Sequence, residues 1–380
     1  MRIGLFADVY IPNPNGLASS VFLLAQELNR LGEEAWVVAP WLKNAPAGEE
    51  RTIRVPSIPV PFEGHRLGIP FVEELPAFDL VHTHAPGPLG IWGAWMAHQK
   101  HLPHVSTLHT EFDEYAHYAP GGEWLNRKTG IVPKGAGWFF NHTDAVIAPT
   151  APIEELARRY QVTKPVHVIP TGIDGELLAN APIPTSPWPE GRRRILTVSR
   201  MGKEKSLDVV FEAFAKFAQA ENAHLALIGF GPEEDNLRRQ AQALGIADRV
   251  TFVGVIPYQE IGGYYRLAEL FLFASRTETQ GLVLLEAQIL GVPVVAVGAE
   301  GTLSGVADGA SGYLVAPGDS EALAERALRL LRDPDLYARF REGALEFGAQ
   351  HSARRMAEDI LAVYRQAASG HRTFPEAVSS

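Results

Sequence analysis

The chain contains no cysteine. Disulfides, thiolate nucleophiles and cysteine-held zinc are therefore excluded. No apolar run approaches the roughly 20 residues needed to cross a bilayer. Asp8 interrupts the first apolar stretch, so the N-terminus reads as a strand rather than a signal peptide, and a cytoplasmic protein is expected. Basic charge is not in excess. Lys and Arg number 34 against 44 Asp and Glu, a net −10, the wrong sign for nucleic acid as the main partner. A P-loop, G-x-x-x-x-G-K-[ST], is absent. The turn at 8–20 does not meet the G-x-G-x-x-G dinucleotide fingerprint, which argues against a nicotinamide dehydrogenase.

What is present is enough for two domains: 380 residues, 46% hydrophobic and 21% charged. Richness in Ala, Leu, Arg, Glu and Pro without cysteine suits a thermophile. Short runs of Val, Ile and Leu at 2–7, 35–39, 80–83, 105–109, 145–148 and 166–169 read as strands. A second series follows at 195–199, 225–229, 250–253, 270–273, 292–297 and 312–315. Most are too continuously apolar for a half-solvated strand, so they read as parallel strands covered on both faces. Helical periodicity lies between them, at 20–31 before Gly32, after Ser206 as N-cap, and at 282–290, 322–331 and 356–366. This rhythm gives a doubly wound α/β fold, and it occurs twice. Four prolines at 181–191 read as a linker. The boundaries expected are 1–182, 183–352 and a C-terminal helix and tail at 353–380. Two such sheets face a cleft in this reading, with ligands at the carboxyl ends of the strands.

One segment concentrates the chemistry. A buried strand at 270–273 runs into a polar loop, Ser275 to Gln280, and Gly281 opens a helix. A strand, a loop and a helix N-terminus form an anion-binding arrangement. The amides of Gly281 and Leu282 suit a diphosphate, and Gly281 offers no side chain to block it. Glu278 precedes the helix and Glu286 lies on it. They are placed to accept hydrogen bonds from sugar and ribose hydroxyls, or they are a dipole-favoured carboxylate and a surface glutamate. A second segment, 195–208, puts Arg200 and Lys205 after a buried strand, where two cations can neutralise a leaving diphosphate. Lys203 reads as a solvated charge. In the first loop, Gly16 permits close approach of backbone to a phosphate or sugar.

Glu278 and Glu286 are separated by seven residues, the E-x7-E pattern, and the chain resembles retaining family 4 glycosyltransferases of the GT-B fold. The order of motifs agrees: Asn15-Gly16, His109 after the fourth strand, Pro170-Thr171-Gly172-Ile173-Asp174, Arg200 with Lys205, Gly229-Phe230-Gly231, Thr277-Glu278-Thr279-Gln280-Gly281, and Gly291-Val292-Pro293. The stretches 8–16, 108–118 and 147–150 are most similar to bacterial diacylglycerol glucosyltransferases. Two positions depart from the common pattern: Asn15-Gly16 where many relatives have Gly-Gly, and Phe230 where Gly-Asp-Gly is common.

The resemblance implies that Arg200 and Lys205 bind the donor diphosphate and that Glu278 holds sugar hydroxyls with the amides of Thr279, Gln280, Gly281 and Leu282. It also implies Glu286 on the ribose, Val255 at the nucleotide base, Gly229 and Gly16 by the diphosphate, and His109 near the transferred sugar. It implies a UDP-sugar as donor, retention of configuration, and no metal or other cofactor, the two cations serving instead. The expected acceptor is 1,2-diacylglycerol at the inner face of the membrane. The alternatives are a polyprenyl lipid, a sugar, a small polyol, a sulfoquinovosyl donor, or a non-enzymatic nucleotide-sugar binder. Acceptor choice is assigned to the N-terminal half, with Asn15, Tyr115, Tyr118 and Trp124 as candidates. The stretch 124–143 has three cations, no acid and four aromatics, which suits contact with a membrane surface. Asp333-Pro334-Asp335 matches the D-x-D of metal-using glycosyltransferases, and eight of the 13 histidines fall in 82–142, but neither reads as a metal site.

Overall fold

The computed structural model describes residues 1–12, 16–43, 45, 49–59, 66–72, 74–109 and 129–371. Two compact units form: residues 1–172 with 353–380, and residues 173–352.

The first unit contains β1 (Arg2–Phe6), α1 (Gly16–Arg30), β2 (Glu34–Pro40), β3 (Thr52–Val55), β4 (Ser57–Pro59), β5 (Arg66–Gly68), β6 (Leu80–Thr83), α2 (Pro88–Gln99), β7 (His104–Thr107), α3 (Ile131–Asn141), β8 (Ala145–Ala148), α4 (Ala151–Arg159) and β9 (Val166–Val168). Its sheet runs β3-β2-β1-β6-β7-β8-β9, every neighbouring pair parallel. Alternate residues feed opposite faces. Ile3, Leu5, Val37 and Leu80 pack with Leu24 and Leu28 of α1. Phe6, Val38 and Val81 pack with Leu89 and Met96 of α2 on the other. Both faces are covered, which is why the strands lack alternating polarity.

The second unit contains α5 (Gly175–Asn180), β10 (Arg193–Val198), α6 (Leu207–Phe217), β11 (Ala223–Ile228), α7 (Glu234–Ala243), β12 (Val250–Gly254), α8 (Tyr258–Leu267), β13 (Leu270–Phe273), α9 (Leu282–Ile289), β14 (Val294–Val297), β15 (Gly312–Val315), α10 (Ser320–Arg332) and α11 (Pro334–Gln350). Its sheet order is β12-β11-β10-β13-β14-β15, all parallel. Counted within the unit this is 3-2-1-4-5-6, the Rossmann order, whose topological switch falls between β10 and β13. The first unit has the same switch between β1 and β6. The last described helix is α12 (Ala353–His371), whose Met356, Ile360 and Tyr364 join the core of the first unit.

The structure alters some sequence readings. The segment 181–191 lies inside the second unit, where buried Trp188 donates Nε1–H to the Ile195 carbonyl at 3.0 Å. Ser206 occupies the N-cap position of α6, but its φ of 46° is left-handed and its side chain caps nothing. Strands β3 to β5 were not read, because they are short and half exposed and so lack a continuous apolar run. Asp333 is an N-cap: Oδ1 accepts from the Leu336 N–H at 2.9 Å, and Pro334 takes the first helical position. The D-x-D is thus the start of α11.

Candidate active site

The switch point of the second unit gathers most of the residues expected to bind a donor. After β10, the backbone of Ser199 to Met201 runs against the loop after β11. The Met201 N–H donates to the Phe230 carbonyl at 2.8 Å. Gly229 has a φ of 136°, and a Cβ there would lie 1.9 Å from the Ser199 carbonyl oxygen. Only glycine fits so close an approach, so Gly229 has a packing reason independent of any ligand. Phe230 projects into solvent, as does Val255 after β12.

Lys205 closes a short 3-10 turn, Lys203–Lys205. Its Nζ donates to Glu278 Oε1 at 2.6 Å, both side chains only 18% exposed. The two segments singled out in the sequence therefore meet, because β10 and β13 are neighbours. Arg200 stays about half exposed, with Nη2 3.1 Å from Glu204 Oε1. The Glu278 loop is braced from behind: its carbonyl accepts from the Gly301 N–H at 2.8 Å, and a Cβ on Gly301 would sit 2.2 Å from the Thr279 carbonyl carbon. Thr279 is half-buried and Gln280 buried. Gly281, at φ 70°, is the N-cap of α9, and the first amides of that helix, beginning at Leu282, have no partner within it.

Glu286 is not a surface residue. It is 6% exposed, and its Oε2 accepts from the hydroxyl of wholly buried Tyr265 at 2.8 Å. Burial pushes its carboxyl up to about 7, opposed by the Tyr265 hydrogen bond. Burial next to Glu286 also pushes the Tyr258 and Tyr265 phenols up. Tyr265 was missed because nothing local marks it among the apolar residues of 258–267. Ser275 is fully buried after β13, and among the described residues its Oγ has no hydrogen-bond partner.

In the first unit, the switch between β1 and β6 is flanked by Asp8 and His84. Asp8 supplies the cap that Gly87 cannot: its carboxylate accepts from the Leu89 and Gly90 N–H groups at 3.0 and 3.3 Å, while burial raises its carboxyl to about 6. His109, two residues past β7, lies with Nε2 3.1 Å from His84 Nδ1. His82 bridges Tyr364 Oη at 2.6 Å and Thr107 Oγ1 at 2.7 Å. Burial lowers His109 to about 4 and holds His82 and His84 well below the ordinary imidazole value, so all three are neutral at physiological pH. The alternating His82-Thr83-His84 was the signal for His84, and it was not used. Gly16 is the exposed first residue of α1. Asn15, Tyr115, Tyr118 and Trp124 lie outside the described residues.

Two Rossmann-type units, with two cations, a carboxylate and a helix N-terminus at the switch of the second, define a GT-B glycosyltransferase. Residues 14–177 match the family described as Glycosyltransferase Family 4, and residues 182–347 match Glycosyl transferases group 1. The chain is 30% identical over 317 residues to alpha-monoglucosyldiacylglycerol synthase of Streptococcus pneumoniae, covering 78% of this chain and 71% of that one. It is 27% identical to the synthase of the same name from Acholeplasma laidlawii, over 95% of each. A third relative, 26% identical over 97% of this chain and 98% of its own, is phosphatidyl-myo-inositol mannosyltransferase of Mycobacterium leprae. Among solved structures, sucrose-phosphate synthase from Thermosynechococcus elongatus superimposes with a TM-score of 0.74 at 23% identity, covering 97% of this chain and 100% of that one. The chain belongs to glycosyltransferase family 4 and is a hexosyltransferase.

Proposed function

We propose that the protein transfers glucose from UDP-glucose to 1,2-diacylglycerol with retention, giving an α-glucosyl diacylglycerol. The observation that carries the donor half is the meeting of Lys205, Glu278 and the N-terminus of α9 at the β10–β13 switch. Lys205 and Glu278 satisfy each other in the structure. A bound donor exchanges that pair: the diphosphate takes Lys205 and Arg200, and the sugar hydroxyls take Glu278 with the amides of 279–282. As the glycosidic bond breaks, negative charge grows on the diphosphate. Fixed cations and helix amides stabilise that charge more than the ground state, which lowers the barrier. The departing phosphate then receives the acceptor proton on the same face. Glu286 takes the ribose, Val255 lies at the base, and no metal is required.

Two things support diacylglycerol as acceptor: the names carried by two relatives matching along most of their length, and the surface of the first unit. On α2, Ile91 and Trp95 are exposed one turn apart, and on α3, Ile131 and Trp138 flank Lys134. Apolar and aromatic groups around a cation suit the boundary of an anionic bilayer. Among the described residues no helix is long and apolar enough to cross a membrane, so the reading is peripheral contact at the inner face. The test is incubation with UDP-glucose and diacylglycerol vesicles, with the anomeric proton of any product read by NMR. An α-linked glucolipid is expected. Turnover on inositol, a sugar or a polyol without glycolipid formation would overturn the acceptor.

A further inference from the structure

Glu286 is set among apolar residues of α9: Leu284, Leu285 and Ala287 are all buried. Facing it from α8 are two phenols, Tyr265 and Tyr258, and beyond Tyr258 stands Asp174 at the start of α5. Among the described residues no cation pairs with the carboxylate. Among the described residues, the only side-chain hydrogen bond to Glu286 comes from Tyr265. A phenylalanine and a leucine would fill the same core without burying a hydroxyl and a carboxylate, each of which loses hydration. A polar pair kept at a cost in the core, next to a ligand site, is the pattern of a functional device.

We propose that Tyr265 is a positioning residue for the sugar donor: its hydroxyl holds Glu286 through Oε2 and leaves Oε1 to accept from the ribose hydroxyls. The inference rests on the reading of Glu286 as the ribose contact. Its consequence is a coupling between donor affinity and pH. Ribose hydroxyls donate to a carboxylate but gain less from a carboxylic acid. Since burial raises this carboxyl to about 7, donor affinity rises with pH through neutrality and levels above it. Removing the phenol removes the interaction that opposes burial, so the midpoint moves to higher pH. A hydrogen bond to a charged group corresponds to a shift of about one to two pH units. At pH 7 the ionised fraction then falls about five- to fifty-fold, and the affinity with it.

The experiment is calorimetric titration of the full chain with UDP from about pH 6 to 9, comparing wild type, Tyr265→Phe, Glu286→Gln and Tyr258→Phe. Ratios of variant to wild-type affinity cancel the titration of UDP itself. Tyr265→Phe is expected to shift the midpoint alkaline and weaken binding near neutrality, with recovery at high pH. Tyr258→Phe, which removes a neighbouring phenol that donates no hydrogen bond to Glu286, leaves the midpoint in place. Glu286→Gln abolishes the pH dependence. If Glu286→Gln changes neither affinity nor its pH profile, the ribose contact itself is wrong. If Glu286→Gln abolishes the dependence but Tyr265→Phe binds as wild type at every pH, the role of Tyr265 is overturned. Should Tyr265→Phe not fold, wild-type protein grown on fluorotyrosine replaces it. A more acidic phenol donates more strongly and moves the midpoint to lower pH, and an unmoved midpoint refutes the proposal.

Discussion

Lys205→Ala separates structure from catalysis at the centre of the site. In the wild type, Nζ lies 2.6 Å from Glu278 Oε1 with both side chains 18% exposed. Exposed ion pairs contribute about 0–1 kcal/mol, and removing one partner of a fully buried pair costs about 3–5. This pair lies between, so Lys205→Ala should destabilise the second unit by about 2 kcal/mol. For a unit of that size the melting temperature falls by about 4–8 °C. Turnover should fall much further, because in the proposed mechanism the lysine also faces the charge that develops on the leaving diphosphate. Loss of one such contact costs about 3–4 kcal/mol, or roughly 200- to 1,000-fold in kcat. Glu278→Gln keeps a hydrogen-bond acceptor for Lys205 and should be closer to wild type in stability, yet still lose turnover. The assay is release of UDP at saturating donor, paired with thermal unfolding of each variant and of the double variant. Stability effects in the double variant should fall short of additive, because the two residues share one interaction. Folded Lys205→Ala with turnover within about threefold of wild type would refute the role given to the lysine.

Two further outcomes are expected. His82, His84, His104 and His109 are held neutral by burial, which lowers His104 and His109 to about 4 and His82 and His84 well below the 6.5 of the open chain. The unfolded chain therefore binds more protons below pH 6.5, so the first unit loses stability as pH falls from about 6.5 toward 4. Unfolding temperatures should decline over that window, and histidine resonances titrating near 6.5 in the folded protein would contradict the burial argument. Asp333→Ala removes the N-cap of α11 and should cost about 1 kcal/mol of stability without changing transfer, with or without a chelator. A metal-dependent loss of activity in that variant would return the D-x-D to the site.

The sequence carried the fold a long way. The strands at 80–83, 145–148, 270–273 and 312–315 match end for end. Each is buried on both faces, so the apolar run stops where the sheet stops. Readings drifted where a strand end enters a loop. At 105–109 the apolar pattern runs past the last ladder residue, Thr107, because Leu108 and His109 are themselves buried, Leu108 in a cluster with Phe139 and Phe140 and His109 against His84. The half-solvated β3 to β5 gave no run to read.

The anion-binding segment at 270–290 was legible for the same local reason. A buried strand, a polar loop, a helix-opening glycine and two glutamates seven residues apart are all encoded within one stretch of chain. By itself the segment leaves a dipole-favoured carboxylate and a surface glutamate open; with Arg200, Lys205 and Gly16 it points to the donor half of a glycosyl transfer. What the segment binds to in the protein was not written there. Lys205 meets Glu278 across 73 positions because β10 pairs with β13. Tyr265 meets Glu286 because α8 and α9 pack on one face of that sheet. His84 meets His109 because β6 pairs with β7. Periodicity and composition determine which face of each element is buried, since burial follows the local pattern of apolar groups. Strand order determines which side chains become neighbours, and that is a property of the whole sheet. The candidate donor-binding residues were therefore legible in the sequence, while their neighbours and the burial that raises the Glu286 carboxyl were decided by the tertiary structure.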